Sequence, residues 1–453
     1  MQKSKNLSTT TTSQSTTSQS GTPQDKADSA PATNQLSKQA KIRSIIAASS
    51  GNLVEWFDFY IYAFSAVYFA HTFSTSDNPT IQQINAFGIF ALGFFMRPIG
   101  SWLFGSLADK IGRKSSMVIS VVLMALGSFM IAALPSKDSV GEFAVILLLI
   151  ARLIQGISVG GEYGIAATYL SELASEGKRG FYSSFQYVTL IGGQLLAVAS
   201  ISIMLYFYTE AEMKEWAWRI LFVIGGILAL GSLFVRSIMQ ESAQDLEKHE
   251  DRGTLKALLQ SWKPFLLVVG ITSGGSLAFY TITTYTKTFM INSAHISTTT
   301  SNHIMLYALF LLMCMQPLFG LLGDKIGHKR SLIVFATLAM CGIYPLFMLL
   351  GSTQVSANPY YAFGVIVALF VILSFYTSVA GIFKAKLFPM HIRALGTGFG
   401  YAIPNAIFGG SAQYVALNFK NAGVENGFFI YVTIMMALVL IVASLLPKKG
   451  IIN

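Results

Sequence analysis

The segment Gly105-Ser-Leu-Ala-Asp-Lys-Ile-Gly-Arg-Lys114 recurs 215 positions later as Gly320-Leu-Leu-Gly-Asp-Lys-Ile-Gly-His-Lys329. Each copy is a short charged break between two apolar runs and holds the same place in its half of the chain. A second echo relates Arg179 to Arg393 at an offset of 214. A chain written twice in this way has to fold one plan twice and join the copies.

The plan is set by apolar runs. Residues 45–71, 85–107, 116–134, 143–168, 182–206 and 218–238 form one set of six, and 264–291, 302–322, 331–350, 359–383, 394–416 and 427–446 the other. The chain is 53% hydrophobic and only 11% charged, against about 25% charged in soluble domains. Runs of this length cross a bilayer as helices, which satisfy their own backbone hydrogen bonds. The expected fold is therefore all-α, with twelve transmembrane helices in two pseudo-symmetric six-helix bundles. Residues 45–238 and 264–446 are expected to form the bundles and 239–263 a charged linker. Residues 1–44, rich in Ser, Thr and Gln, and 447–453 are expected to be cytoplasmic tails, the first disordered. No signal peptide is expected before the first run.

The net charge of +10 does not imply a nucleic-acid partner, because most Lys and Arg cluster in the N-terminal tail, alternate loops and the C-terminus. That asymmetry is the positive-inside pattern and places both termini in the cytoplasm. Cys314 and Cys341 lie inside runs and read as packing residues, and no histidine pair has zinc spacing. Neither a metal site nor a cofactor is expected.

Charge inside the runs is the functional signal, since an ionised group at mid-membrane costs at least about 2.5–3.5 kcal/mol on insertion scales. Glu55 and Asp58 lie in the first run, and at 100° per residue they share an arc with Asn52 and Tyr62. Arg97 lies in the second run, and Arg152 and Glu162 in the fourth. A guanidinium grips a carboxylate through two parallel hydrogen bonds, so two arginines at similar depth suit a small dicarboxylate. These three acids and two arginines cannot all be paired and still leave the arginines open to a dianion. Protons on the acids would release the arginines, which couples proton binding to anion binding. Asp58 is the expected main proton site, with Glu55 and Glu162 behind it. The second set of runs carries no acid, so the cavity is expected to be lopsided. Tyr62 is an expected substrate contact from the first set, and the polar candidates of the second set are Tyr280, Tyr376 and Asn405, with Thr284, Tyr285 and Gln316 alongside.

Internal repeats of this kind are a mark of secondary transporters. The doubled loop, together with Arg152-Leu-Ile-Gln-Gly156 and Tyr169-Leu-Ser-Glu172, resembles the major facilitator superfamily over all twelve runs. Residues 50–62, Met96-Arg-Pro-Ile-Gly100, 185–194 and Asn405-Ala-Ile-Phe-Gly-Gly410 resemble its metabolite:proton symporter family. The resemblance implies alternating access and proton-coupled import of α-ketoglutarate or a closely related dicarboxylate across a bacterial inner membrane. Citrate, shikimate, betaine or proline would be the cargo in a relative. It also implies a cytoplasmic gate of Asp109, Arg113, Glu172 and Asp324 that holds the outward-open state. Two positions depart from the pattern: Lys386 stands opposite Glu172, and His328 opposite Arg113. The expected partners are protons, a small anionic metabolite and the lipid bilayer, with the protein a monomer. An enzyme is not expected, since no mid-run histidine and no nucleophile–base pair is present.

Overall fold

The computed structural model describes residues 38–111, 113–160, 177–237, 255–352, 358–389 and 392–447, with side chains described from Asn52 onward apart from 105–117, 234–237 and three single positions. Twelve long helical segments run through these residues: α1 (Lys38–Phe73), α2 (Pro79–Ile111), α3 (Arg113–Ala133), α4 (Phe143–Val159), α5 (Arg179–Phe207), α6 (Trp218–Ser237), α7 (Trp262–Asn292), α8 (Thr298–Ile326), α9 (His328–Leu350), α10 (Tyr360–Lys386), α11 (Arg393–Asn421) and α12 (Glu425–Leu445). Eight of the helices in the described residues are long and apolar enough to cross a bilayer. α1 starts seven residues ahead of the expected start of the first run, and a short helix, Leu255–Gln260, lies within the expected linker. The rest of the tail, residues 238–254 of the linker region and the last six residues lie outside the described residues.

Helix contacts fall into two sets. α1 packs on α2, α5 and α6, α2 on α4, and α3 on α4 and α6; α7 packs on α11 and α12, α8 on α10, and α9 on α10 and α12. The α5–α8 and α2–α11 contacts join the sets, as a two-fold arrangement of equal halves requires. Large apolar side chains such as Phe310, Leu318, Ile434 and Ile441 point outward. That is the inversion expected when the solvent is lipid and helices associate through close packing. Glycine supplies the closeness where it matters. A Cβ on Gly156 would run into the Gly93 carbonyl and one on Gly160 into the carbonyl of Arg97, so α4 lies hard against α2 at the depth of Arg97.

Two helices change pitch at mid-span. α7 contains a π-turn at Thr281–Tyr285, directly after Tyr280, and α11 one at Asn405–Gly409. Such turns are rare and gather at functional sites, because they aim side chains that a regular helix would turn away.

We use inner for the face at which α1 begins and outer for the face at which it ends. Among the described residues, hydrogen bonds cross the bundle interface at both faces. At the inner face Asp324 of α8 accepts hydrogen bonds from the first backbone amides of α5, Gly180 at 2.6 Å and Phe181 at 3.0 Å. A carboxylate there meets the positive end of the helix dipole. At the outer face Asn292 donates to Gln83 at 2.9 Å, Asn302 to the Tyr68 hydroxyl at 3.2 Å, and the Lys287 ammonium to the Phe64 carbonyl at 2.8 Å.

Candidate substrate and proton sites

Arg97 is 2% exposed and stands in a cage of ring faces. Its guanidinium carbon is 4.0 Å from the ring centre of Phe94, 4.4 Å from Phe59 and 4.9 Å from Trp56. Ring faces stabilise a guanidinium by cation–π attraction but offer its N–H groups no acceptor. Nε and Nη2, the two nitrogens of one edge, are buried with no hydrogen-bond partner among the described residues. Around that cation gather the hydroxyls of Tyr60 and Tyr280, with Tyr280 facing Tyr60, Asn405 and Arg97. Both hydroxyls and both amide atoms of Asn405 are buried and make no well-formed hydrogen bond, so the group is held together only by weak mutual contacts. Leaving a buried donor unsatisfied costs about 1–3 kcal/mol, more for a charged group. So many poorly satisfied polar groups around one buried cation make this cluster the candidate site. The π-turns explain how the second bundle contributes: Asn405 opens one and Tyr280 immediately precedes the other.

A narrow cavity runs from this cluster toward the inner face, lined by Asn52, Glu55, Trp56 and Arg97 of the first bundle and by Tyr401 among others of the second. Glu55 therefore faces the bundle interface. Asp58 does not. It is fully buried inside the first bundle, where Ser128 donates to Oδ1 and Gln155 to Oδ2, the latter at 2.7 Å. Gln155 also donates to Ser128 at 2.8 Å and accepts from Arg152 at 2.6 Å. Asp58 and Arg152 are thus joined through an amide and not by direct contact. The arc shared by Glu55 and Asp58, about 120° wide at 100° per residue with Asn52 and Tyr62 included, is wide enough to serve two neighbours, and the helix divides it between cavity and bundle interior.

Arg152 is absent from the cavity lining, contrary to the expectation that two arginines share one cavity. Its guanidinium lies 4.3 Å from the Tyr62 ring and 5.0 Å from Phe59. Phe59 thus has a guanidinium against it from each arginine. Tyr62 donates its hydroxyl to the Ala86 carbonyl at 2.8 Å and meets the arginine with its ring. Tyr376 stacks on Phe335 with its hydroxyl turned toward α7 at Gly275 and Thr272, inside the second bundle. Tyr285 donates to Glu425 at 2.6 Å, and Gln316 exchanges hydrogen bonds with Thr377 and Ser374. These polar groups are turned into their own bundles and do not line the cavity.

At the inner face Asp324 stands in the expected place, with His328 Nε2 3.1 Å from its Oδ1. Glu162 and Glu172 lie outside the described residues. The backbones of Asp109 and Arg113 lie in α2 and α3, but their side chains are outside the described set.

The second bundle, expected to hold no acid in its runs, carries buried positive charge. Lys287 of α7 and Lys384 of α10 are 2% and 0% exposed. The Lys384 ammonium lies 4.5 Å from the Tyr401 ring centre, next to the cavity, and 5.7 Å from Phe383. Sequence reading missed both lysines, because each sits near the end of a run where a long stem ordinarily carries its charge out to water. Gln155 and Ser128 gave less signal still: uncharged polar side chains are common in spans, and Asp58 lies 97 and 70 positions away from them.

Twelve membrane helices in two equivalent bundles, joined by hydrogen bonds at both faces around a buried cationic site, are the architecture of a secondary carrier and not of an enzyme. The comparisons agree. Residues 44–250 match the family model described as "Sugar (and other) transporter". The chain is 50% identical over 411 residues, 90% of its length and 94% of the relative's, to alpha-ketoglutarate permease of Escherichia coli K12. It is 31% identical to the proline/betaine transporter of the same strain, covering 80% of this chain and 75% of that one. To the citrate-proton symporter of Klebsiella pneumoniae it is 30% identical, covering 83% and 85%. The proton:xylose symporter XylE bound to a bromo-deoxyglucose superposes with a TM-score of 0.70 at 18% identity, over 91% of this chain and 97% of that one; it shares the fold. The chain belongs to the metabolite:proton symporter family of the major facilitator superfamily.

Proposed function

We propose that the protein imports α-ketoglutarate, or a closely related dicarboxylate, together with protons across a bacterial inner membrane. Both chain ends would then lie in the cytoplasm, as the basic loops require. The observation that carries this reading is the bare Nε–Nη2 edge of Arg97 inside its aromatic cage. That edge accepts a carboxylate side-on through two hydrogen bonds, and the half-identical permease of Escherichia coli supplies the acid by name. Tyr60, Tyr280 and Asn405 would take the keto oxygen and the remaining carboxylate oxygens.

Asp58 is the proposed proton site, with Glu55 second. Protonation of Asp58 removes the charge that Gln155 balances against Arg152, and Phe59 carries the change to Arg97 by touching both guanidiniums. Asp324 serves as the inner gate, holding the first turn of α5 while the outer face opens. Moving a dianion into a cell that is negative inside costs about 4.6 kcal/mol per 100 mV, at ~2.3 per charge, so at least two protons are expected per substrate. A betaine or proline carrier would use an aromatic cage for the ammonium group; here the cage already holds a guanidinium, which favours an anion.

The test is accumulation of labelled α-ketoglutarate in proteoliposomes under an imposed pH gradient, with citrate, succinate, shikimate and betaine as competitors. Failure of α-ketoglutarate to accumulate would refute the substrate assignment.

A further inference from the structure

The structure assigns to Lys287 a second anion-binding station, at the outer entrance: we propose that its ammonium takes the substrate carboxylate first and closes the entrance by moving onto the Phe64 carbonyl. The inference rests on the reading that the cargo is a carboxylate.

Lys287 is seven residues beyond Tyr280 on α7, two turns toward the outer face and about 10 Å along the axis. Its contacts with Phe64 of α1 place Lys287 at the bundle interface, on the outer side of the site. It is buried at the bundle interface and no carboxylate among the described residues pairs with it. Its contacts are the Phe64 carbonyl at 2.8 Å and the rings of Phe64 and Tyr68 at 5.6 and 5.9 Å. An ammonium carries three N–H donors, and a buried lysine without a counter-charge marks a pathway by default. The route between the two cations is laid out on α1. Trp56 stacks on Tyr60 at 5.5 Å and Tyr60 meets Phe64 at 6.0 Å. Arg97 stands over the Trp56 end of this ladder and Lys287 over the Phe64 end.

The π-turn Thr281–Tyr285 lies between Tyr280 and Lys287. The outer segment of α7 can therefore swing on that turn while Tyr280 stays at the site. Swung away from α1, Lys287 loses the Phe64 carbonyl and presents its charge to an arriving anion. Once the carboxylate passes inward to Arg97, the ammonium regains that carbonyl and the outer face shuts. A backbone carbonyl is neutral, so the closing contact does not compete with the cargo when the cargo is present, unlike an acid in the same position.

The prediction is an asymmetry between the two faces. In oriented vesicles Lys287→Gln should raise the external KM about 10-fold or more, the loss of one charge-assisted hydrogen bond, and leave the KM for efflux from the inner side within about two-fold. Lys287→Arg should restore the external value. In the wild-type protein, added salt should raise the external KM more steeply than the internal one, because the exposed entrance is screened; this measurement holds even where the glutamine variant does not fold. An unchanged external KM in Lys287→Gln, or an equal rise at both faces, overturns the proposal, as does equal salt dependence at the two faces. Whichever carboxylate the wild-type protein accumulates is the one used. A failure of α-ketoglutarate to accumulate therefore counts against the substrate reading and not against Lys287.

Discussion

Arg97 and Arg152 lie in neighbouring helices of one bundle, both almost fully buried, and both stand over the ring of the same phenylalanine, Phe59. Their surroundings differ in one respect. Arg152 spends a donor on Gln155 and through it reaches Asp58. Arg97 sits among ring faces with the Tyr280 hydroxyl beside it, and its Nε–Nη2 edge makes no well-formed hydrogen bond. Intramembrane charge alone therefore does not identify a ligand site. In the proposed function, the arginine with a whole edge left unmatched takes the substrate, and the one tied through Gln155 to Asp58 responds to protonation.

The sharpest way to break this contrast is at Arg97. Arg97→Lys keeps the charge but loses the two-pronged edge, and α-ketoglutarate uptake is expected to fall at least about 100-fold, with binding by isothermal calorimetry lost in parallel. Equal activity of the lysine variant would mean that the edge holds no carboxylate. Next comes Asp58→Asn, expected to abolish accumulation against a gradient while exchange of preloaded substrate continues near the wild-type rate. Loss of exchange to the same extent would make Asp58 structural. Gln155→Leu should cost about 1–3 kcal/mol of stability by stripping Asp58 Oδ2 of its donor, read as a lowered unfolding midpoint in detergent, while Arg97 still binds substrate. The smallest effect is expected from Asp324→Asn, worth about 1 kcal/mol at a helix N-terminus. It should raise several-fold the labelling rate of a cysteine placed at Ser183, just inside the inner gate.

Much of the fold was legible because it is encoded twice. The Gly105 and Gly320 segments fix where the halves begin to correspond, and apolar run length fixes the helices between them. Arg97 and Asp58 were legible for a related reason: charge in a span is too costly to be incidental. What the sequence did not disclose is direction. Glu55 and Asp58 share a helical arc but face the cavity and the bundle interior respectively, a distinction set by whether α2 and α11 or α3, α4 and α6 lie opposite. Tyr62 and Tyr280 look alike in sequence; one gives its hydroxyl to the Ala86 carbonyl, and the other is turned onto the site next to a π-turn that local composition does not announce. Lys287 escaped notice because its burial depends on a helix of the other bundle closing over it.

The cage around Arg97 has a spectroscopic consequence. Trp56 forms one wall, 4.9 Å from the guanidinium carbon, and its indole N–H is fixed by Asn52 at 2.9 Å. The chain holds only five tryptophans. An anion that seats on Arg97 changes the electric field across this one indole, so occupancy of the site is written into the protein's own fluorescence and can be followed without a label.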